Sequence, residues 1–462
     1  MSLFAASELI AASFGDERLN KRFVKITEVL SENPSKSVPE ACKTWGETKA
    51  IYRFWDNQKV TPEKILEPHI ASTLERVKLE SIVLAIQDTT DANYTKHSKT
   101  RGLGYLDASY LQGIKIHTTL AVSARGVPLG ILHQQQWIRQ NEGIGKKHNR
   151  NKRPTKDKES QYWLESHDTV NKLIPVTTQV IHIGDRESDI YDLFASSRKA
   201  SEFLLIRCAQ NRRLKGESKC LKEAVALQKP VGIIMVKQKR PQDNVSKEIE
   251  CELRSLKAEI LPPANRKASK SLPSVKVTII EVKEKTADNK KEPIHWILLT
   301  TLPVENEEDI KTCVKYYSYR WLIERYHYTI KSCCQIEELQ LETVDRLKNA
   351  IATYCIVAWR ILWMLYLSRE DGNLPYTKII SEVEMEILYF KFNPKMKLLP
   401  EQPPTISEVI RWIAKLGGFL GRKRDGNPGV KVLWRGLVSL EIMCQTWLFA
   451  KSYFSNCQRT YG

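Results

Sequence analysis

Three carboxylates in this sequence stand where a folded chain could gather them: Asp88, Asp185 and Glu324. Asp88 follows the apolar run Ser81–Ile86, within Gln87-Asp88-Thr89-Thr90, and Asp185 follows Gln179–Ile183, within Gly184-Asp185-Arg186. Short runs rich in β-branched residues read as buried strands, so each acid is expected near a strand end. Turns also begin with Asp, so each acid taken singly is open to that second reading. Glu324 falls in a stretch read as one helix from Tyr317 through Lys331. At about 100° per residue, Tyr317, Arg320, Glu324 and Lys331 lie within roughly 60° of one another on one face. Tyr319, Leu322, Ile323, Tyr326 and Ile330 occupy the opposite, buried face. The plain alternative is a solvated face with an i,i+4 pair between Arg320 and Glu324.

Such a set suits phosphodiester chemistry. Uncatalysed phosphate-ester hydrolysis is among the slowest reactions in biology. Two divalent ions about 4 Å apart can activate the attacking oxygen and stabilise the leaving one. Mg²⁺ prefers carboxylate oxygen and keeps several waters, and Mn²⁺ can substitute. Three carboxylates from two strands and a helix are enough to hold such a pair. On the same face Arg320 could grip a phosphate by a bidentate fork, Lys331 as a point charge and Tyr317 through its hydroxyl.

The surrounding pattern supplies the elements that would carry these groups. Residues 1–70 read as helical: Phe23, Ile26 and Leu30 recur at helical spacing up to Asn33-Pro34, and a second helix is expected over Glu40–Asn57. Arg18, Lys21, Arg22 and Lys25 accompany the first helix as a basic set. Strands are expected at Lys115–Ser123, Val127–Gln136 and Glu202–Arg207, and the basic stretch Gln140–Lys158 reads as a loop. Residues 212–300 read as an antiparallel β insertion, with strands at Gly232–Val236, Glu248–Leu253, Val275–Val282 and Trp296–Leu299 separated by Lys- and Pro-rich turns. The chain is helical again from Asn306 through Arg369, breaks at Gly372 and Pro375, and ends in a mainly helical segment, 371–462, with a Gly-rich loop at Gly417–Gly436. The expectation is an α/β catalytic region, 71–370, between helical N- and C-terminal domains.

Composition narrows the function classes. A formal net charge of +18 over 462 residues points to a polyanionic partner, most commonly nucleic acid. The ten cysteines include no pair with the two-residue gap of a zinc knuckle and suit a reducing cytosol. Met1–Phe14 is apolar but lacks the basic start of a signal peptide. Ile351–Leu367 is about as long as the shortest membrane span, but Arg360 near its middle favours a buried helix, so no membrane partner is expected.

The spacing Tyr317-x2-Arg320-x3-Glu324-x6-Lys331 resembles the Tyr-Arg-Glu-Lys signature of bacterial cut-and-paste DDE transposases of the insertion-sequence-four type, the group that includes the transposase of transposon five. Asp88-Thr89-Thr90 and Gly184-Asp185-Arg186-Glu187-Ser188-Asp189-Ile190-Tyr191 resemble its first and second acidic motifs. Phe14–Leu19 and Tyr52-Arg53-Phe54 resemble its N-terminal end-recognition domain, and Leu416–Phe419 with Asp425–Gly429 and Leu433–Gly436 its C-terminal segment. One departure is Ser332-Cys333-Cys334, where relatives often carry a Gly shortly after the motif Lys.

The resemblance implies a ribonuclease H-like core with a β insertion, and Asp88, Asp185 and Glu324 as metal ligands. It implies Tyr317, Arg320 and Lys331 on the DNA strand near the cleaved bond, and Trp296 on a flipped base. Trp296 is otherwise a core aromatic. Arg207 and Arg212, after a strand, are weaker DNA-contact candidates. The implied partners are transposon terminal inverted repeats, target DNA and a second copy in a synaptic dimer, in a bacterial cytoplasm and associated with the nucleoid. The implied reaction is cleavage, by way of hairpin ends, and strand transfer. Rivals are a nuclease without strand transfer and a transposase-derived inhibitor that binds ends without cutting.

Overall fold

The structure, a computed structural model, describes residues 4–139, 158–238, 247–264, 272–286 and 293–460. The N-terminal helices are α1 (Phe4–Glu8), α2 (Glu17–Glu32), α3 (Val38–Ala41), α4 (Trp45–Trp55) and α5 (Pro62–Val77). In α2 the apolar residues Leu19, Phe23, Ile26 and Leu30 recur every three or four positions and are buried. Asp16 caps its first turn by accepting from the Arg18 amide. The rings of Phe14, Phe23 and Phe54 close the small core at centroid distances of 5.3–5.6 Å. The expected single helix over Glu40–Asn57 is two helices. Cys42 is extended, and Thr44 starts α4 afresh by accepting from the Glu47 amide. A boundary at residue 70 falls inside α5, which packs on the catalytic sheet.

The sheet strands are β1 (Ile82–Asn93), β2 (Gly104–Tyr105), β3 (Gln112–Ser123), β4 (Pro128–Trp137), β5 (Gln179–Gly184), β6 (Glu202–Arg207), β7 (Gly232–Gln238), β8 (Lys247–Ile260), β9 (Val275–Glu284) and β10 (His295–Thr300). Their order is β2-β3-β1-β5-β6-β10-β9-β8-β7, with β4 on β3. β1 is antiparallel to β3 but parallel to β5, and β5 is parallel to β6. Helices α6 (Ser160–Leu173), α7 (Tyr191–Ala195) and α8 (Leu221–Ala226) connect the later strands. The strands of residues 212–300 do not make a separate sheet. β10 pairs antiparallel with β6, so the insertion extends the catalytic sheet edgewise. The physical reason is in β10 itself: Leu298, Leu299 and Thr300 are buried beside β6 and need a paired backbone on both sides.

The remaining helices are α9 (Glu307–Ser318), α10 (Trp321–Tyr328), α11 (Val344–Glu370), α12 (Glu382–Phe392), α13 (Ile406–Leu416) and α14 (Val430–Thr460). α11 is the apolar helix expected to be buried, and it is: among its neighbours are α2, α4, α5, β4, α13 and α14. It therefore serves as the spine shared by the N-terminal helices, the sheet and the C-terminal helices. Asn349 ties it to the N-terminal helices by donating to the carbonyls of Trp55 (2.9 Å) and Val60 (3.0 Å). Trp55 donates back to the Thr353 hydroxyl at 3.1 Å. Arg360 is only 4% exposed, with its guanidinium 4.4 Å from the Phe4 ring centroid.

Candidate active site

β1 carries Asp88 differently from expectation. The strand does not end there but runs to Asn93, with Asp88 opposite Thr118 of β3. What ends is the parallel partner: the β1–β5 register stops at Ile86↔Ile183. Beyond that point β5 turns away through Gly184 into Asp185. Asp88 and Asp185 are thus delivered side by side where two parallel strands diverge, the usual place for a site in an α/β sheet. Asp185 caps a short 3₁₀ turn, Arg186–Ser188, by accepting from the Glu187 amide at 2.8 Å. Gly184 is required there, because a Cβ would lie 2.2 Å from the Ser188 hydroxyl.

The third acid arrives on a broken element. The expected continuous helix from Tyr317 to Lys331 is a helix end, a second helix and a wide turn. α9 stops at Ser318, α10 starts at Trp321, and residues Thr329–Cys333 form a π-helical turn that carries Lys331. The four motif residues are accordingly not one exposed face. Tyr317 is buried at 3% exposure, its ring edge-on to Trp296 at 5.4 Å, while Arg320, Glu324 and Lys331 reach solvent. Single-turn π-helices recur at functional sites because they re-aim a side chain without ending the helix.

Electrostatics ties the acids together. Burial, and then the charges of Asp185 and Glu324, push the Asp88 carboxyl up to about 7, against the opposing pull of the Thr89 amide and Arg320. The Thr89 amide donates to Asp88 Oδ1 at 2.9 Å. Arg320 is ion-paired with Glu324. Burial also pushes the Tyr317 phenol up, opposed by Arg320 and Arg207, and its hydroxyl is buried without a hydrogen-bond partner. The site is therefore an excess of carboxylate charge with one guanidinium inserted into it, which fits a divalent cation. The fit is electrostatic rather than a closed cage. Among the described residues no three His, Cys, Asp or Glu side chains stand close enough to hold an ion, and Glu324 is turned to Arg320.

The other expected DNA contacts divide. Trp296 on β10 is half-buried beside Tyr317, and Arg207 Nη2 lies 3.4 Å from the His295 carbonyl in the same corner. Arg212 is not an available DNA contact. It is 7% exposed, ion-paired with buried Asp189 and packed over the rings of Tyr191 and Phe194, so it holds β6 to α7. The basic stretch Gln140–Lys158 lies outside the described residues except for Lys158.

Sequence reasoning passed over His327. It is buried on α10, one turn beyond Glu324, with Nδ1 3.8 Å from Asp88 Oδ2. Its position at i+3 from Glu324 was readable, but its reach to Asp88 depends on α10 packing against β1. A cavity of about 910 Å³ lies beyond Lys331, lined by Asn93, Lys96, Lys99 and Glu337, rather than at the acids. Asp88 and Asp185 are partly buried, and Glu324 is exposed.

Three family models match the chain. One described as transposase DNA-binding matches residues 1–60, one described as transposase DDE domain matches 66–360, and one described as transposase Tn5 dimerisation domain matches 356–457. The catalytic region is accordingly ribonuclease H-like, with its central sheet between helical N- and C-terminal regions.

Proposed function

The chain belongs to the DDE transposases, with DNA-binding and Tn5-type dimerisation regions, and on that premise we propose that Asp88, Asp185 and Glu324 are its catalytic acids and bind two divalent ions, Mg²⁺ or Mn²⁺. The observation that carries the reading is the Asp88 carboxyl, driven up to about 7 by burial and by the other two acids. A buried carboxylate surrounded by like charge is unfavourable unless a cation joins it. When bound, the ions would supply Lewis acidity and lower the pKa of water near the scissile phosphate.

The chain's own residues do the positioning. Arg320, paired with Glu324 here, would turn its fork to a phosphate oxygen and leave Glu324 free to hold an ion. Tyr317 supplies a buried hydroxyl with no partner of its own. Lys331, brought forward by the π turn, neutralises an adjacent phosphate. Trp296 stacks on a base turned out of the duplex, held edge-on by Tyr317 with Arg207 at hand for its phosphate. Residues 1–70 recognise the terminal inverted repeats, 71–370 form the catalytic domain and 371–462 join two copies in a synaptic complex. The reaction sequence is nicking by water, attack of the freed 3′-hydroxyl to form a hairpin, hairpin opening and joining of the end to target DNA. The setting is a bacterial cytoplasm, on the nucleoid.

The test is incubation of the full-length protein with Mg²⁺, DNA from the flanks of its coding region and a supercoiled target. Joined ends that disappear in Asp88→Ala, Asp185→Ala and Glu324→Ala support the reading. Cleaved ends that never join favour a nuclease, and end binding without cleavage favours an inhibitor. Cleavage that survives all three alanines overturns the assignment of the acids.

A further inference from the structure

We propose that His327 is a positioning residue for the metal site: its imidazole fixes the orientation of the Asp88 carboxylate and couples it to the helix that carries Glu324. The inference rests on the reading of Asp88 as a metal ligand.

Asp88 has two oxygens in different settings. Oδ1 accepts the Thr89 amide at 2.9 Å, and Oδ2 lies 3.8 Å from His327 Nδ1. The approach is longer than a full hydrogen bond, and a small rotation of the carboxylate would close it. Catalytic hydrogen bonds are commonly long in the unliganded state and tighten on loading. The other ring nitrogen, Nε2, is buried without a partner. A neutral imidazole carries a single N–H, on one ring nitrogen or the other. Placing that proton on Nδ1 aims the donor at Asp88 and leaves only a lone pair unfilled at Nε2. The opposite tautomer would bury an orphan donor and set a lone pair against a carboxylate.

Helix geometry gives the contact a second consequence. His327 lies three residues after Glu324 on α10, immediately before the π turn that carries Lys331. The short helix and the π turn after it thus hold a proposed ligand, the group facing the opposite ligand and the lysine proposed to bind phosphate. An apolar side chain of similar volume would fill the space without the cost of burying an imidazole. Outer hydrogen bonds of this kind orient metal-binding carboxylates, and losing them typically lowers metal affinity about 10–100-fold.

The experiment titrates Mn²⁺ into full-length protein without DNA and follows water-proton relaxation, so that no turnover is needed. His327→Leu is expected to weaken Mn²⁺ binding by about 10–100-fold. His327→Asn, whose amide nitrogen can reach the Nδ1 position, is expected to recover most of it. Asp88→Asn is the reference that loses the site. Binding by His327→Leu within about twofold of wild type, with Asp88→Asn deficient, overturns the role of His327 alone. Equal weakness of the Leu and Asn variants also overturns it, because ring packing would then be the cause. Mn²⁺ binding that persists in Asp88→Asn overturns the metal reading of Asp88, and this proposal with it.

Discussion

Asp88→Asn is expected to make the metal-free protein more stable while abolishing its cleavage activity. The side chain is only 17% exposed, and its carboxyl is displaced from an ordinary 3.8 to about 7. A displacement of roughly three pH units at about 1.36 kcal/mol each sets a ceiling of about 4 kcal/mol on the cost of ionising it in the folded chain. Residual solvent contact and relaxation reduce this, so a gain of about 1–4 kcal/mol is expected at pH 8. The folded chain holds this proton more tightly than the unfolded chain does. The contribution is therefore complete below about pH 4 and is lost as pH rises through about 7. Asparagine has the same shape, keeps an oxygen for the Thr89 amide and carries no charge at any of these pH values. Thermal unfolding in metal-free buffer should bring the wild-type and variant curves close together near pH 4, and they should separate as pH rises. At pH 8 the variant should melt several degrees higher. Millimolar Mn²⁺ should raise the wild type alone and narrow the gap. Coincident curves at pH 8, or an offset that is the same at both pH values, would refute the reasoning, because neither leaves room for an uncompensated charge.

Four further outcomes follow from particular contacts. Trp296→Ala should leave the first nick largely intact but suppress hairpin formation, separable on denaturing gels, and Trp296→Phe should recover part of it. Asn349→Ala removes the donor to the Trp55 and Val60 carbonyls and should cost about 1–3 kcal/mol, with faster amide exchange over 45–60 than over the sheet strands. Gly436→Ala would place a Cβ 1.8 Å from the Ile413 carbonyl, and Gly417→Ala one 1.9 Å from that of Val432, so either should force α13 from α14 at a cost of about 1–3 kcal/mol, read as a lower melting temperature. Arg320→Lys keeps the charge but loses the fork, and should lower the cleavage rate far more than DNA affinity, checked by comparing single-turnover rates with filter binding.

The sequence alone determined the parts of this protein that rest on local rules. Apolar runs with β-branched residues marked β1, β3, β4, β5 and β6, because a buried strand must be apolar along its length. The apolar stretch Ile351–Leu367, interrupted by Arg360, marked a core helix, because Arg360 is too costly for lipid. The spacing of Tyr317, Arg320, Glu324 and Lys331 pointed to phosphate chemistry through its resemblance to a transposase signature, since the spacing by itself equally allows a solvated i,i+4 pair. The tertiary structure decided what depends on neighbours far along the chain. Asp88 comes beside Asp185 because the pairing of β1 with β5 ends at Ile86 and Ile183, something no residue of β1 encodes. Arg212 became structural because Asp189, Tyr191 and Phe194 enclose it. The motif stretch is divided between α9, α10 and a π turn, with Tyr317 buried against Trp296 of the insertion and Glu324 exposed and paired with Arg320. Periodicity reports which face is apolar. It cannot report which surface that face will meet.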